Sequence, residues 1–216
     1  MSDLTALVPT ARQFYAALDA NNTKAWWQDN RSTYDDVLKP GANALLDQLK
    51  EPLADLTDSP ITTKLFRPHR DVRFSKDKHP YNTHLHMMWQ LDGDARQMPV
   101  FFFGVGLDYI TAGAGMMGFD KPVLEDWRKF VDLDTDRVMG IIGEVQDKGY
   151  RFREPELKRV PPAYDKDHIA ADLLKRKGLI ASGELSDNTK DLAKALTAAF
   201  TDLWPINQLL LQIAES

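Results

Sequence analysis

Apolar positions recur with two different periods along the chain, and the change of period divides it into three parts. In the first part, Phe14, Tyr15 and Leu18 mark a short amphipathic helix over about residues 9–19, and Asn21 or Asn22 is placed to cap the next one. From there Trp27, Tyr34, Leu38, Leu45 and Leu49 keep a spacing of about 3.6 residues. Pro40 falls inside this run. It lacks an N–H and disfavours helix at Lys39, so a kink or break is expected there, with a second helix from Gly41 to about Leu56.

The middle part changes to alternation. Thr62 to Arg70 reads as extended, interrupted by Pro68. In "THLHMMWQL", Leu85, Met87, Trp89 and Leu91 share one face of a strand, and His84, His86, Met88 and Gln90 share the other. "VFFFGVGLDYITAG" has the aromatic and β-branched density of one or two buried strands.

The third part returns to helix. Asp120 is placed to cap a helix with Pro122 in its first turn, running to about Val131. Another covers Leu133 to Lys148 and stops at Gly149. "YRFREPELKRV" reads as a strand pair or extended arm, and a helix is expected from about Asp167 to Lys177, stopped by Gly178. The strongest helical stretch is "SDNTKDLAKALTAAFTDLWPINQLLLQI", with Leu192, Leu196, Phe200 and Leu203 on its buried stripe and a bend at Pro205. Helices at both ends of the chain around a central run of strands imply an α+β fold: a mainly antiparallel sheet with helices packed on it, in one domain over residues 1–216.

Composition narrows the function. The 216 residues contain no cysteine, which excludes a disulfide framework, a thiolate metal site and a cysteine nucleophile. The first twenty residues lack the basic start and apolar run of a signal peptide, and no uncharged apolar stretch is long enough to span a bilayer. A cytoplasmic protein with no membrane contact is expected. The formal charge of −5 argues against non-specific nucleic-acid binding, so any basic site must be local.

"GAGMMG" at 113–118 matches G-x-G-x-x-G, but Asp120 and Pro122 place the helix start beyond the last glycine. In a dinucleotide site the helix begins inside the motif, so these glycines are read as places where the backbone turns tightly. There is no G-x-S-x-G, no HExxH and no P-loop, and no cofactor is implied.

One stretch stands out chemically. "RPHRDVRFSKDKHPYNTH", residues 67–84, gathers five Arg or Lys, three His and only two Asp within an acidic chain. Arg70, Arg73, Lys76 and Lys78 offer guanidinium forks and ammonium point charges, and Ser75 and Tyr81 add hydroxyl donors. Asp71 and Asp77 cannot neutralise every cation; they would orient the side chains around an anion. The alternative is a structural ion-pair network or a solvated surface. His84 and His86 lie on one strand face, and His69, His79, Asp71 or Asp77 would be needed to complete a metal site. Their spacing matches no tight ligand pattern, so no metal is assigned. Lys158 and Arg159 form a second concentration, expected to join the first in space, with His168 at a helix start.

Four blocks carry a resemblance to DUF2461, a family of uncharacterised proteins: "NNTKAWWQDNRSTYDD", "FRPHRDVRFSKDKHPYNT", "AGAGMMGFDKPVLEDWRKFV" and "LKRVPPAYDKDHIAADLLKRKGL". The second resembles the family hallmark R-D-x-R-F-S-K-D-K-x-P-Y, matched here by Arg70 to Tyr81. Lys158, Arg159 and Pro161 match the last block, where Pro161-Pro162-Ala163 departs from the family's Pro-Lys-Gly. The resemblance implies a shared basic loop but brings no established activity. The expectation is a basic pocket for a phosphorylated or carboxylated small molecule. If the protein is an enzyme, Asp71, Tyr81 or His168 would move a proton. The alternative is a non-catalytic protein gripping an acidic partner or a nucleic-acid backbone through the loop.

Overall fold

The alternating and aromatic stretches form six strands: β1 (Ile61–Leu65), β2 (Leu85–Leu91), β3 (Val100–Val105), β4 (Ile110–Met116), β5 (Arg151–Phe152) and β6 (Leu179–Glu184). In this computed structural model, which describes residues 4–186 and 189–215, they make one sheet in the order β1-β2-β3-β4-β6-β5. Every neighbouring pair is antiparallel, as expected for the α+β class.

Register turns the sequence alternation into two unlike faces. Leu85, Met87, Trp89 and Leu91 are buried, and they pair across to Phe101, Phe103 and Val105, which in turn meet Ile110, Ala112 and Ala114. Against this face pack α1 (Leu7–Ala20), α3 (Lys39–Thr57) and α7 (Leu192–Glu215). Phe200 of α7 lies 5.5 Å from Trp89 and 5.0 Å from Phe101, centroid to centroid, and the Trp89 indole N–H donates to the Leu46 carbonyl at 3.0 Å. The two remaining long helices, α4 (Lys121–Leu133) and α5 (Thr135–Asp147), pack on α7. Among the described residues no such layer of helices covers the other face, which presents His86, Met88, Gln90, Phe102 and Thr111.

Several boundaries differ from the sequence expectation. The cap of α2 (Lys24–Thr33) is Thr23, whose hydroxyl accepts from the Trp26 N–H at 3.2 Å; neither Asn21 nor Asn22 caps it. Pro40 does not break the helix. The chain passes from α2 through a π-helical stretch, Tyr34–Leu38, straight into α3, with Pro40 in its first turn. The Lys39 N–H bonds the Tyr34 carbonyl five residues back, and this wider turn directly before the proline lets the run continue past a residue that has no N–H. The helix expected over 167–177 shrinks to α6 (Ala171–Leu174), preceded by turns. Asp120 occupies the cap position of α4 without a side-chain cap bond. α7 starts at Leu192 and runs unbroken through Pro205; Asp187 and Asn188, expected near its head, lie outside the described residues.

Of the glycines of "GAGMMG", only Gly118 lies in a bend. Gly113 and Gly115 sit inside β4, and the next helix starts only at Lys121. Gly115 has φ +132°, and a Cβ there would land on the Leu179 carbonyl of β6. A Cβ on Gly113 would meet the Phe102 ring on one side and the Ala181 carbonyl on the other. The motif serves sheet packing rather than phosphate binding.

Candidate functional site

The basic stretch is a loop between β1 and β2, and its base is held by the start of α2. The Asn22 side chain makes two bonds to the Tyr81 backbone: its amide donates to the carbonyl at 2.9 Å, and its oxygen accepts from the N–H at 3.2 Å. The Tyr81 ring stacks on Trp27 at 4.5 Å and 14°. His69, which forms an isolated β-bridge with Tyr81, stands edge-on to both rings at 5.5 and 5.0 Å. Arg70 N–H to Pro80 and Asn82 N–H to Pro68 complete the narrow base. Tyr81 is 5% exposed. Its ring packs the base of the loop against α2.

Beyond the base, the charges answer one another. Arg70 pairs with Asp77 at 2.5 Å and donates to the His79 carbonyl. Arg73 clasps Asp71 through Nε and Nη2. Hydrogen bonds from the Arg73 side chain, then its backbone, hold the Asp71 carboxyl below its ordinary range. The His79 N–H, then Arg70, do the same for Asp77. Lys78 donates to the Val72 carbonyl at 3.0 Å, and the Ser75 N–H donates to the same carbonyl. Lys76 has no ion-pair partner among the described residues. The aspartates therefore neutralise the arginines directly, and none of Arg70, Arg73, Ser75, Lys76 or Lys78 lines a described cavity.

Lys158 and Arg159 do not join this loop. They follow β5, at the sheet edge opposite β1, with four strands between. Both are exposed, and the Leu157 N–H just before them bonds the Lys175 carbonyl beyond α6. His168 closes a turn: its Nδ1 accepts from the Ala170 N–H at 3.0 Å, and its Nε2 lies 3.5 Å from Asp132. His84 and His86 stack ring on ring at 3.8 Å, and His86 Nε2 hydrogen-bonds the Tyr109 hydroxyl at 2.7 Å. No group of three or more His, Asp or Glu among the described residues is placed to hold a metal.

A concave basic surface does exist, beside the loop rather than on it. A cleft of about 380 Å³ opens between the α2–α3 helical run and the first residues of the loop. Trp27, Tyr34 and His69 form an aromatic side, and Arg31, Lys39 and Arg67 supply cations. Arg31 is bound to Asp35 at 2.9 Å, whereas Lys39 and Arg67 have no ion-pair partner among the described residues. Three cations and one carboxylate line the recess, where field lines are focused; Arg67 also acts at longer range on Asp71, which is itself clasped by Arg73. Arg31 and Lys39 were missed from the sequence because they sit in separate turns of an apolar-periodic helix. Only the uninterrupted passage through Tyr34–Leu38 brings them to the same side as Arg67.

The fold also pairs the four sequence blocks. The first grips the second through Asn22 and Trp27 on Tyr81. The third grips the fourth, the Trp127 indole donating to the Leu173 carbonyl at 3.0 Å and Arg128 to that of Leu174 at 3.2 Å. No curated protein matches the chain. The family model described as a conserved hypothetical protein, DUF2461, matches residues 10–209, nearly the full length, and the chain belongs to that family.

Proposed function

We propose that the protein binds a phosphorylated or carboxylated small molecule in the cleft formed by Arg31, Lys39 and Arg67. The observation that carries this is the excess of cations over carboxylates in a recess with an aromatic side. Arg31 and Arg67 would grip the anion through guanidinium forks and Lys39 as a point charge. Gln28 and Asn43 line the same cleft and supply amide groups for the rest of the ligand. On this reading Arg70, bonded to Asp77 and the His79 carbonyl, frames the stretch that carries Arg67 and His69, while Arg73, Lys76 and Lys78, with Asp71, lie outside the binding cleft. Should the protein act as an enzyme, His69, which lines the cleft, would be the residue to move a proton there. The same proposal places the protein in the cytoplasm, where phosphorylated small molecules are kept.

A second reading rests on Phe74. It is 96% exposed, with Arg73 beside it and Lys76 and Lys78 close by in the loop. An exposed aromatic among cations is a ready anchor for an acidic partner protein, and this interaction would be non-catalytic.

Thermal-shift titration with phosphate, pyrophosphate, citrate and sugar phosphates separates the two. Anion binding to the native state raises Tm by mass action. Arg67→Ala and Lys39→Ala are each expected to weaken the best ligand about tenfold or more, while Arg73→Ala leaves it within about twofold. Loss in Arg73→Ala with none in Arg67→Ala would move the site to the loop tip and overturn the cleft.

A further inference from the structure

The uncovered face of the sheet carries a second concavity, lined by different chemistry from the basic cleft. A trough of about 590 Å³ runs across it, floored by Met88 and Phe102 and rimmed by Phe66, Met98 and Met117. Phe66 is 40% exposed and Met117 68%, so the rim holds two of the larger apolar surfaces on the molecule. The sequence makes the trough by withholding side chains. A Cβ at Gly104 would press on the His86 ring, one at Gly106 would strike Tyr109, and one at Gly113 would strike Phe102. Three rings lie low on the sheet because three glycines leave room for them.

The two ends of the trough are polar and unlike. At one end stands the uncharged pair His86 and Tyr109, joined at 2.7 Å. At the other end is Arg153. It follows Phe152, whose partner across the sheet is Ala181, so strand alternation turns Arg153 to the open face beside Ile180. Arg153 has no ion-pair partner among the described residues. From the level of His86 and Gly104 to that of Gln90, Val100 and Gly115 is four residues of strand, roughly 13 Å.

We propose that this trough binds an elongated apolar carboxylate, of the kind of a medium-chain fatty acid. Its carboxylate sits on Arg153 and its chain runs over Phe102 and Met88 towards Tyr109. Charge and shape choose this occupant together: one unpaired cation at one end, an apolar floor, and an uncharged hydrogen-bonding pair at the other. The site is separate from the anion cleft, which faces α2 and the basic loop.

Displacement of the apolar sulfonate anilinonaphthalene sulfonate from the full chain tests this, using dodecanoate, dodecanol and acetate below their micelle concentrations. Dodecanoate is expected to displace the probe at least about tenfold better than dodecanol, the worth of a charge-assisted bond, and acetate not at all. Arg153→Gln, an exposed position, is expected to erase the difference between acid and alcohol. Met88→Glu, half-buried on the open face, is expected to abolish displacement by both, while Arg67→Ala changes neither. Equal displacement by acid and alcohol, with no effect of Arg153→Gln, would overturn the proposal. So would a dimer in sedimentation velocity that Met88→Glu dissociates with no ligand bound by the parent, because the face would then serve a second copy of the chain.

Discussion

At the scale of single residues, Asn22 shows what a family hallmark can be for. Its two bonds to the Tyr81 backbone span 59 positions, and Trp27 lies under the same tyrosine ring. Removing one side chain orphans a carbonyl and an N–H at a half-buried site, so Asn22→Ala is expected to destabilise the protein by about 1–3 kcal/mol in urea unfolding. Trp27 was legible as core from its period, and the loop's charges were legible as a cluster. That Asn22 is a clamp was not, since no local pattern distinguishes a helix-capping Asn from one bonded to a distant backbone. Nor could composition tell that Asp71 and Asp77 would each close on an arginine. His86 offers a separate test. Burial, and then His84, push it down from an ordinary 6.5 to about 4. His84 is lowered by burial and then by Arg70. The unfolded chain then binds more protons than the folded one between those values, so stability falls as pH falls from 6.5 towards 4 and is level above. Asp71 and Asp77, whose folded values are lowered, lose their contribution only as pH drops below their ordinary 3.8. Tm of the parent is expected to decline across the histidine window, and His86→Gln to flatten that decline. Equal slopes in the two proteins would mean that His86 titrates as a solvated side chain.

At the scale of elements, alternation found β2, though it begins at Leu85 rather than Thr83, and separated its two faces correctly, because one face is buried and the other is less so. The helical period likewise found α1, α3 and the body of α7, and the start and stop residues Asp120, Pro122 and Gly149 found α4 and α5. Boundaries failed where a local rule met a tertiary one. Pro40 breaks a helix in isolation, yet here it falls in the first turn of α3, after the π-helical stretch Tyr34–Leu38. α6 is short because His168, Asp165 and Ala170 spend their hydrogen bonds in turns. The glycines of β4 looked like turn residues in the sequence and proved to be contact residues of the sheet. Gly115 is the sharpest case, combining a positive φ with a backbone carbonyl where a side chain would begin. Gly115→Ala is expected to lower stability by about 2–4 kcal/mol, more than an ordinary surface change, because β4 and β6 must separate to admit the methyl group. A loss below about 0.5 kcal/mol in denaturant unfolding would show that the two strands yield freely.

At the scale of the whole molecule, the organising fact is a sheet with helices on one side and open on the other. The α+β class followed from the order of helical and alternating segments. Which corner of the sheet each charged segment occupies did not. Strand order β1-β2-β3-β4-β6-β5 sends Lys158 and Arg159 to the far edge, and the helical run through Tyr34–Leu38 brings Arg31 and Lys39, unremarked in the sequence, beside Arg67. No helix among the described residues is long and apolar enough to cross a membrane. The functional account therefore turns on where an anion settles. The most direct measurement is a crystal structure of the protein soaked in tungstate, an anomalous scatterer with the charge and shape of sulfate. The account expects an anomalous peak within hydrogen-bond reach of Arg31, Lys39 and Arg67, and its loss in Arg67→Ala crystals. A peak held by Arg73 and Lys76 at the loop tip, with the cleft empty, would contradict it.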